Sequence, residues 1–160
     1  MKIENIPVAK AEMLIRKPVA EVFEAFINPD ITTKFWFTKS SGRLVVGKQV
    51  KWEWEMYGAF DLVNVKELEQ DKRIVIEWGL AHGLPTTVEW IFTARADNTT
   101  FVSITHSGFT GDGDEIVSKA LNSAGAFAIV LASLKALLEH NINLNLIADH
   151  SPDKIKKSSA

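Results

Sequence analysis

The longest apolar stretch of the chain covers residues 116–140, and its periodicity predicts a long helix with one buried face. Apolar and small residues recur there at three- and four-residue spacing: Ala120, Ala124, Phe127, Ala128, Leu131, Leu134 and Leu138. At about 1.5 Å per residue this helix would be roughly 35 Å long. It therefore needs a curved sheet several strands wide to lie against.

The same stretch approaches the length of a membrane span. A span needs about 18 or more consecutive apolar residues, whereas Asn122, Ser123 and Lys135 interrupt this run. We therefore expect no membrane insertion. The small residues between Ser123 and Ala128 leave two alternatives open: a close approach of the sheet, or an empty volume that forms a ligand cavity.

Between Gly42 and His106 the hydrophobic period changes to two, which predicts short β-strands. The predicted strands are 43–46, 50–54, 59–68, 74–78, 87–92 and 101–106. No helical pattern separates them, so they should form an antiparallel meander. Asp97 and Asn98 are typical turn residues and should join the last two strands.

The N-terminal part predicts a first strand and two short helices. Residues 9–16 alternate like a half-buried strand, residues 18–27 have helical spacing, and residues 31–37 should form a second short helix. With the sheet and the terminal helix, this order predicts an α+β fold in which a curved antiparallel sheet covers the long C-terminal helix. We assign residues 1–150 to a single domain and residues 151–160 to a flexible tail.

Composition narrows the function classes. Of 160 residues, 46% are hydrophobic and 24% are charged, and the formal net charge of -2 gives no basic field for binding nucleic acid. The chain has no cysteine, which excludes disulfides and thiolate ligands of a metal. His82, His140 and His150 lack the spacing of metal ligands, and the sequence has no phosphate-binding or nicotinamide-binding motif. We therefore expect no metal and no cofactor. The N-terminus lacks the apolar core of a signal peptide, and we therefore expect a cytoplasmic protein.

Tryptophan is the most conspicuous candidate for chemistry. Four of the five tryptophans share the inner face of the predicted sheet: Trp52, Trp54, Trp78 and Trp90. They could fill an ordinary core, or their rings could wall a pocket for an aromatic ligand. His106 has the same parity near the end of its strand, and Tyr57 follows Trp54 closely, so both are candidates for polar groups in that pocket.

Three glutamates accompany the tryptophans on the strands. Glu53, Glu77 and Glu89 each precede a Trp, so the alternation places them on the outer face, where cations can pair with them across strands. If the parity were reversed, the same carboxylates would line the cavity as acids or bases.

Several segments resemble a known family. They are residues 17–26 (KPVAEVFEAF), 35–37 (FWF), 52–55 (WEWE) and 134–139 (LKALLE). They are similar to the heat-shock-protein ATPase activator homologue (AHSA-like) branch of the START-like, or SRPBCC, superfamily, over nearly the whole chain. The resemblance implies a helix-grip fold, in which a curved antiparallel sheet grips the C-terminal helix around an apolar cavity. The superfamily includes lipid and hormone carriers and aromatic polyketide cyclases.

Pattern and resemblance together favour a protein that binds a small hydrophobic, aromatic molecule between sheet and terminal helix. The predicted ligand-binding residues are Trp36, Trp52, Trp54, Tyr57, Trp78, Trp90, His106, Phe127 and Leu131. One alternative is a polyketide cyclase-like enzyme, which would need two titratable groups such as His106 and Tyr57, or an inward glutamate, at a common point. Another is a chaperone-associated or homodimeric module, in which residues 141–147 pack on a neighbouring subunit instead of folding back.

Overall fold

Seven strands and four α-helices make up the part of the chain that the computed structural model describes, residues 2–155. The strands are β1 (Ala9–Ile15), β2 (Lys39–Ser40), β3 (Gln49–Trp54), β4 (Ala59–Glu69), β5 (Arg73–Trp78), β6 (Thr86–Ala94) and β7 (Thr100–Ser107). The helices are α1 (Val19–Ile27), α2 (Pro29–Thr32), α3 (Gly113–His140) and α4 (Leu146–His150). The strands pair antiparallel in the order β1-β7-β6-β5-β4-β3-β2. This arrangement confirms the predicted α+β helix-grip fold.

The long helix α3 is fixed at both ends. Asp112 caps its N-terminus by accepting a hydrogen bond from the Glu115 backbone N–H at 2.9 Å. Near its C-terminus, Lys135 Nζ donates to the Leu14 carbonyl at 2.9 Å, and the Glu139 carboxylate accepts from the Arg16 backbone N–H at 3.0 Å. These contacts hold α3 against β1, which is an edge strand of the sheet.

The buried face of α3 differs in part from the predicted one. Ala128 is exposed, contrary to expectation, whereas Val130 and Ser133 are buried. The face that packs inward is rotated toward Val130, so Ala128 falls on the solvent side of the same turn. Ser133 tolerates burial because its hydroxyl donates to the Phe35 carbonyl at 2.6 Å.

By length and composition alone, α3 could also cross a membrane. Its most apolar window of 18 residues has a mean hydropathy of 1.7. In this structure 28% of that window is buried, and the helix packs against β1 and β7. Length and composition are therefore weak grounds for a span, because the core helix of a soluble domain has the same properties.

The second short helix is smaller and earlier than predicted. It covers Pro29–Thr32, because the Asn28 side chain caps it at the Asp30 N–H and Pro29 fits its first turn. Residues 33–37 do not continue it as predicted. The Phe35 and Trp36 backbone N–H groups both donate to the Thr32 carbonyl, at 3.1 and 2.9 Å, which closes the last turn, and Phe35, Trp36 and Phe37 are all buried.

The predicted strand at residues 43–46 is wrong. Leu44 is buried and donates its backbone N–H to the Ile27 carbonyl at 3.1 Å. This segment therefore lies beside the end of α1 and is not part of the sheet. The first strand after the helices is β2, which pairs Lys39 with Glu53 and Ser40 with Trp52. The pairing was missed because two residues are too few to show an alternating pattern.

The sheet confirms the predicted division between its two faces. Trp52 and Trp90 are buried on the inner face, whereas the three glutamates form ion pairs on the outer one. These pairs are Lys51–Glu53 at 3.6 Å, Lys66–Glu77 at 3.0 Å and Arg73–Glu89 at 2.6 Å.

Of the predicted tail, only residues 151–155 are described, and Pro152–Lys154 forms a short 3₁₀ turn there. Residues 156–160 lie outside the described part.

Candidate functional site

A cavity of about 380 Å³ lies between the inner face of the sheet, α3 and α4. One side of it is an aromatic wall that consists of Trp36, Trp54, Trp78 and Phe127. Tyr57, His106 and Ser123 contribute polar groups to the same wall, and Ile147 lies at its α4 side. The volume lies within the range of small-molecule sites, as does the combination of apolar walls and few polar groups.

Trp36 lies at the centre of the aromatic wall. Its ring is parallel to that of Trp78, at an interplanar angle of 2° and a centroid distance of 5.9 Å. It meets the ring edges of Trp54 at 6.2 Å and Phe127 at 5.8 Å. Trp54 and Trp78 are the last residues of β3 and β5, so the sheet places both indoles at the same end of the inner face. Such offset and edge-to-face contacts stabilise one another and hold the wall in a defined shape.

Three of the nine predicted binding residues lie behind this wall. Trp52, Trp90 and Leu131 are at most 1% exposed and do not line the cavity. Trp52 stacks on Phe37 at 4.7 Å, and Trp90 packs against Trp36 at 6.2 Å. The other six line the cavity: Trp36, Trp54, Tyr57, Trp78, His106 and Phe127.

His106 connects the sheet to α3 through both nitrogens of its ring. Nε2 lies 2.6 Å from Thr86 Oγ1 on β6, and Nδ1 lies 2.7 Å from Ser123 Oγ on α3. Burial lowers the pKa of His106 from 6.5 to about 4, because the charged imidazolium would lose its hydration. At neutral pH the cavity wall therefore presents a neutral imidazole with one N–H and one acceptor nitrogen.

Tyr57 holds the C-terminal segment over the cavity. Its hydroxyl donates to the Ile147 carbonyl and lies 3.3 Å from the Ala148 carbonyl. Burial raises the pKa of Tyr57, and the charge of Asp149 adds to this effect. The hydroxyl therefore stays protonated at neutral pH and can keep donating.

Residues 141–147 fold back only in part, and packing on a neighbouring subunit stays a prediction. Leu146 and Ile147 fold back and are half-buried, whereas Ile142 and Leu144 stay about half exposed, at 48% and 52%. The change of direction occurs at Asn141 and Asn145, which have left-handed backbones with φ of 53° and 56°.

Some cavity residues were not among the predicted ones. Ser123 precedes Phe127 by one helical turn, so the same periodicity that pointed to Phe127 could have identified it. Ile147, His150 and Ser151 also line the cavity, but no sequence pattern signals it because their position depends on the turns at Asn141 and Asn145. Within residues 2–155, no group of three or more His, Asp or Glu side chains could hold a metal ion.

The chain matches one protein-family model and resembles several solved structures. The family model described as Activator of Hsp90 ATPase homolog 1-like protein matches residues 16–139. A crystal structure from Staphylococcus saprophyticus is 27% identical with a TM-score of 0.74, over 86% of this chain and 96% of that one. The Aha1 dimer from Colwellia psychrerythraea is 23% identical with a TM-score of 0.72, over 84% of this chain and 97% of that one.

A third similar structure is DynU16, a putative protein in the dynemicin biosynthetic locus. It is 20% identical with a TM-score of 0.75, over 85% of this chain but only 48% of that one. At this identity the similarity concerns the fold. No curated protein sequence matches the chain.

Proposed function

We propose that this chain, which belongs to the Activator of Hsp90 ATPase homolog 1-like family, binds a small uncharged aromatic molecule in the cavity beneath α3. The observation that carries the proposal is the cavity of about 380 Å³ walled by Trp36, Trp54, Trp78 and Phe127. The family has a ligand-binding fold, and in this chain the cavity has an aromatic wall.

The chemistry of the wall supports an uncharged ligand. Lys, Arg, Asp and Glu are missing from the residues that line the cavity within the described part of the chain. A charged ligand would lose its hydration there without a counter-charge, which is costly in an apolar site. A flat aromatic ligand instead gains contacts with indole rings of matching polarisability.

Native mass spectrometry of protein purified gently from its own host tests this proposal. We expect a co-purifying small molecule that is absent from the Ala126→Phe variant, because Ala126 lines the cavity and a phenyl ring would occupy its volume. Ala128→Phe is the matched control, because Ala128 is exposed on the same helix and does not line the cavity. Loss of the adduct in both variants, or retention in both, would argue against the cavity as the binding site.

A homodimer is a second candidate. The Colwellia psychrerythraea structure that this chain resembles is a dimer, and Ile142 and Leu144 expose neighbouring apolar side chains beyond the end of α3. Two copies could bury these side chains against each other.

The enzyme alternative has weaker support. Tyr57 and His106 both line the cavity, but both are already engaged in hydrogen bonds within the protein. The Tyr57 hydroxyl donates to the Ile147 carbonyl, and the His106 ring is hydrogen-bonded to Thr86 and Ser123. The three glutamates pair with cations on the opposite face of the sheet. We propose a cytoplasmic carrier or sensor, with acid–base catalysis as the alternative.

A further inference from the structure

A chain of hydrogen-bonding groups runs from the cavity wall into the sheet. It begins at Ser123 Oγ, passes through the two nitrogens of His106 and reaches Thr86 Oγ1. Thr86 Oγ1 in turn lies 3.4 Å from the Trp78 carbonyl oxygen. The chain thus ends on a backbone acceptor, which favours one direction for its protons.

A carbonyl oxygen can only accept, so the Trp78 carbonyl is satisfied when Thr86 directs its single hydroxyl proton toward it. In that arrangement Thr86 Oγ1 accepts from His106, which places the proton of the imidazole on Nε2. The neutral ring has no second proton, so Nδ1 is an acceptor. Ser123 therefore donates its hydroxyl proton to Nδ1.

Ser123 consequently has acceptor capacity but no free proton. Ser123 lines the cavity, and the remaining lone pair of its oxygen can accept from a bound molecule. A ligand hydroxyl or N–H can donate to this oxygen, whereas a ligand with only an acceptor oxygen finds no proton on Ser123 Oγ. Donation into an already aligned chain is also favourable, because hydrogen bonds in series polarise one another.

We propose that the cavity selects neutral aromatic ligands that carry a hydroxyl or N–H donor, and that Ser123 Oγ accepts this donor. The inference rests on the proposed function, because it assigns a polar contact to the same cavity. It adds a specificity-determining residue and a chemical class to a site that the aromatic wall alone defines only as apolar.

The tautomer of His106 is the first test and needs no ligand. Nitrogen NMR of the ¹⁵N-labelled protein at neutral pH should show a protonated Nε2 and an unprotonated Nδ1 for His106. The opposite tautomer would leave the Ser123 proton free to point into the cavity, and would overturn the proposal.

Three matched probes give the second test: naphthalene, β-naphthol and the methyl ether of β-naphthol. All share one ring system, but only β-naphthol has a donor. We expect β-naphthol to bind at least about fivefold more tightly than the ether, which is the effect of one hydrogen bond of ordinary net strength. Equal affinity, or tighter binding of the ether, would contradict the selection of a donor.

Two variants locate the effect. Ser123→Val should abolish the preference for β-naphthol, because the methyl groups replace the acceptor and cover Nδ1. Ala126→Val adds bulk to the same helix and the same cavity without removing a polar group, so the preference should remain. A preference that persists in Ser123→Val would assign the donor contact elsewhere and overturn the role of Ser123.

The outcomes separate this inference from the proposed function. If all three probes bind with equal affinity, the cavity binds aromatic molecules but the inference fails. If none of them binds the wild-type protein, both fail. If Ser123→Val does not fold, two measurements on the wild-type protein still test the inference: the tautomer of His106 and the affinity of β-naphthol relative to its methyl ether.

Discussion

The Tyr57 hydroxyl donates a hydrogen bond to the backbone carbonyl of Ile147, which lies 90 positions further along the chain. This bond joins the turn after β3 to α4, and both elements border the cavity. The described residues of α4 include no fully buried side chain, and besides this bond the helix is held by packing on α3 and by the half-buried Ile147. We infer that Tyr57 determines how firmly α4 covers the cavity.

Tyr57→Phe should therefore loosen α4 while the rest of the fold stays intact. Loss of one hydrogen bond costs about 0.5–1.5 kcal/mol, so amide hydrogen exchange in Leu146–His150 should accelerate by about two- to tenfold. Exchange in α1 serves as the internal control and should not change. Unchanged exchange in α4 would show that other contacts hold it.

His106 should make the stability of the protein depend on pH. Its pKa is about 4 in the folded state and near 6.5 when the chain unfolds, so the unfolded state binds more protons between these values. The free energy of unfolding should fall as the pH drops from about 6.5 to about 4, by about 3 kcal/mol in total, and this contribution should be fully restored above pH 6.5 or so.

Carboxylates titrate in the same pH interval, so the measured quantity should be the difference in unfolding free energy between the wild type and a variant without His106. Urea unfolding of the wild type and of His106→Asn, at several pH values, removes the contributions that both share. The stability advantage of the wild type over the variant should shrink on acidification. An advantage that is constant between neutral pH and pH 4 or so would show that burial does not depress the pKa of this histidine.

Trp52 and Trp54 are close in sequence but should differ in their contribution to stability. Trp52 is 1% exposed and stacks on Phe37, whereas Trp54 is half-buried at the cavity wall. Trp52→Ala should destabilise the fold by about 3–5 kcal/mol, the usual cost of removing a large buried aromatic side chain. Trp54→Ala should cost clearly less in urea unfolding, and equal losses would place both indoles in the core.

The dimer candidate predicts a concentration-dependent change in mass. Sedimentation of the wild type should show association, and a double variant with Ile142→Ser and Leu144→Ser should reduce it, because both side chains are about half exposed. Leu121→Ser is a useful control, since Leu121 is 69% exposed on α3 and outside this segment. Only monomer at high concentration would remove the dimer from consideration.

The sequence predicted the layers of the fold because long segments with a clear period determine them. The six main strands and α3 were found in this way, and the alternation of Trp and Glu correctly separated the two faces of the sheet. Short elements were not predictable by the same means. The strand β2 has two residues, and α2 starts early because the Asn28 side chain and Pro29 act locally.

The site was predictable to the extent that strand parity determines it. Parity places Trp52 and Trp54 on the same face, but it does not say which of them reaches the cavity. That depends on the distance from the end of the strand: Trp54 is the last residue of β3, and Trp52 lies within it. The contribution of Ile147 to the cavity could not be predicted, because the left-handed backbone conformations of Asn141 and Asn145 determine where the chain folds back onto the domain.

The most direct test of the central claim is a titration of the ¹⁵N-labelled protein with β-naphthol, followed through the indole N–H signals of the five tryptophans. We predict saturable shifts that are largest for Trp36, Trp54 and Trp78, which line the cavity, and small for the core residues Trp52 and Trp90. Shifts that do not saturate, or that leave the signals of Trp36, Trp54 and Trp78 unchanged, would contradict binding in this cavity.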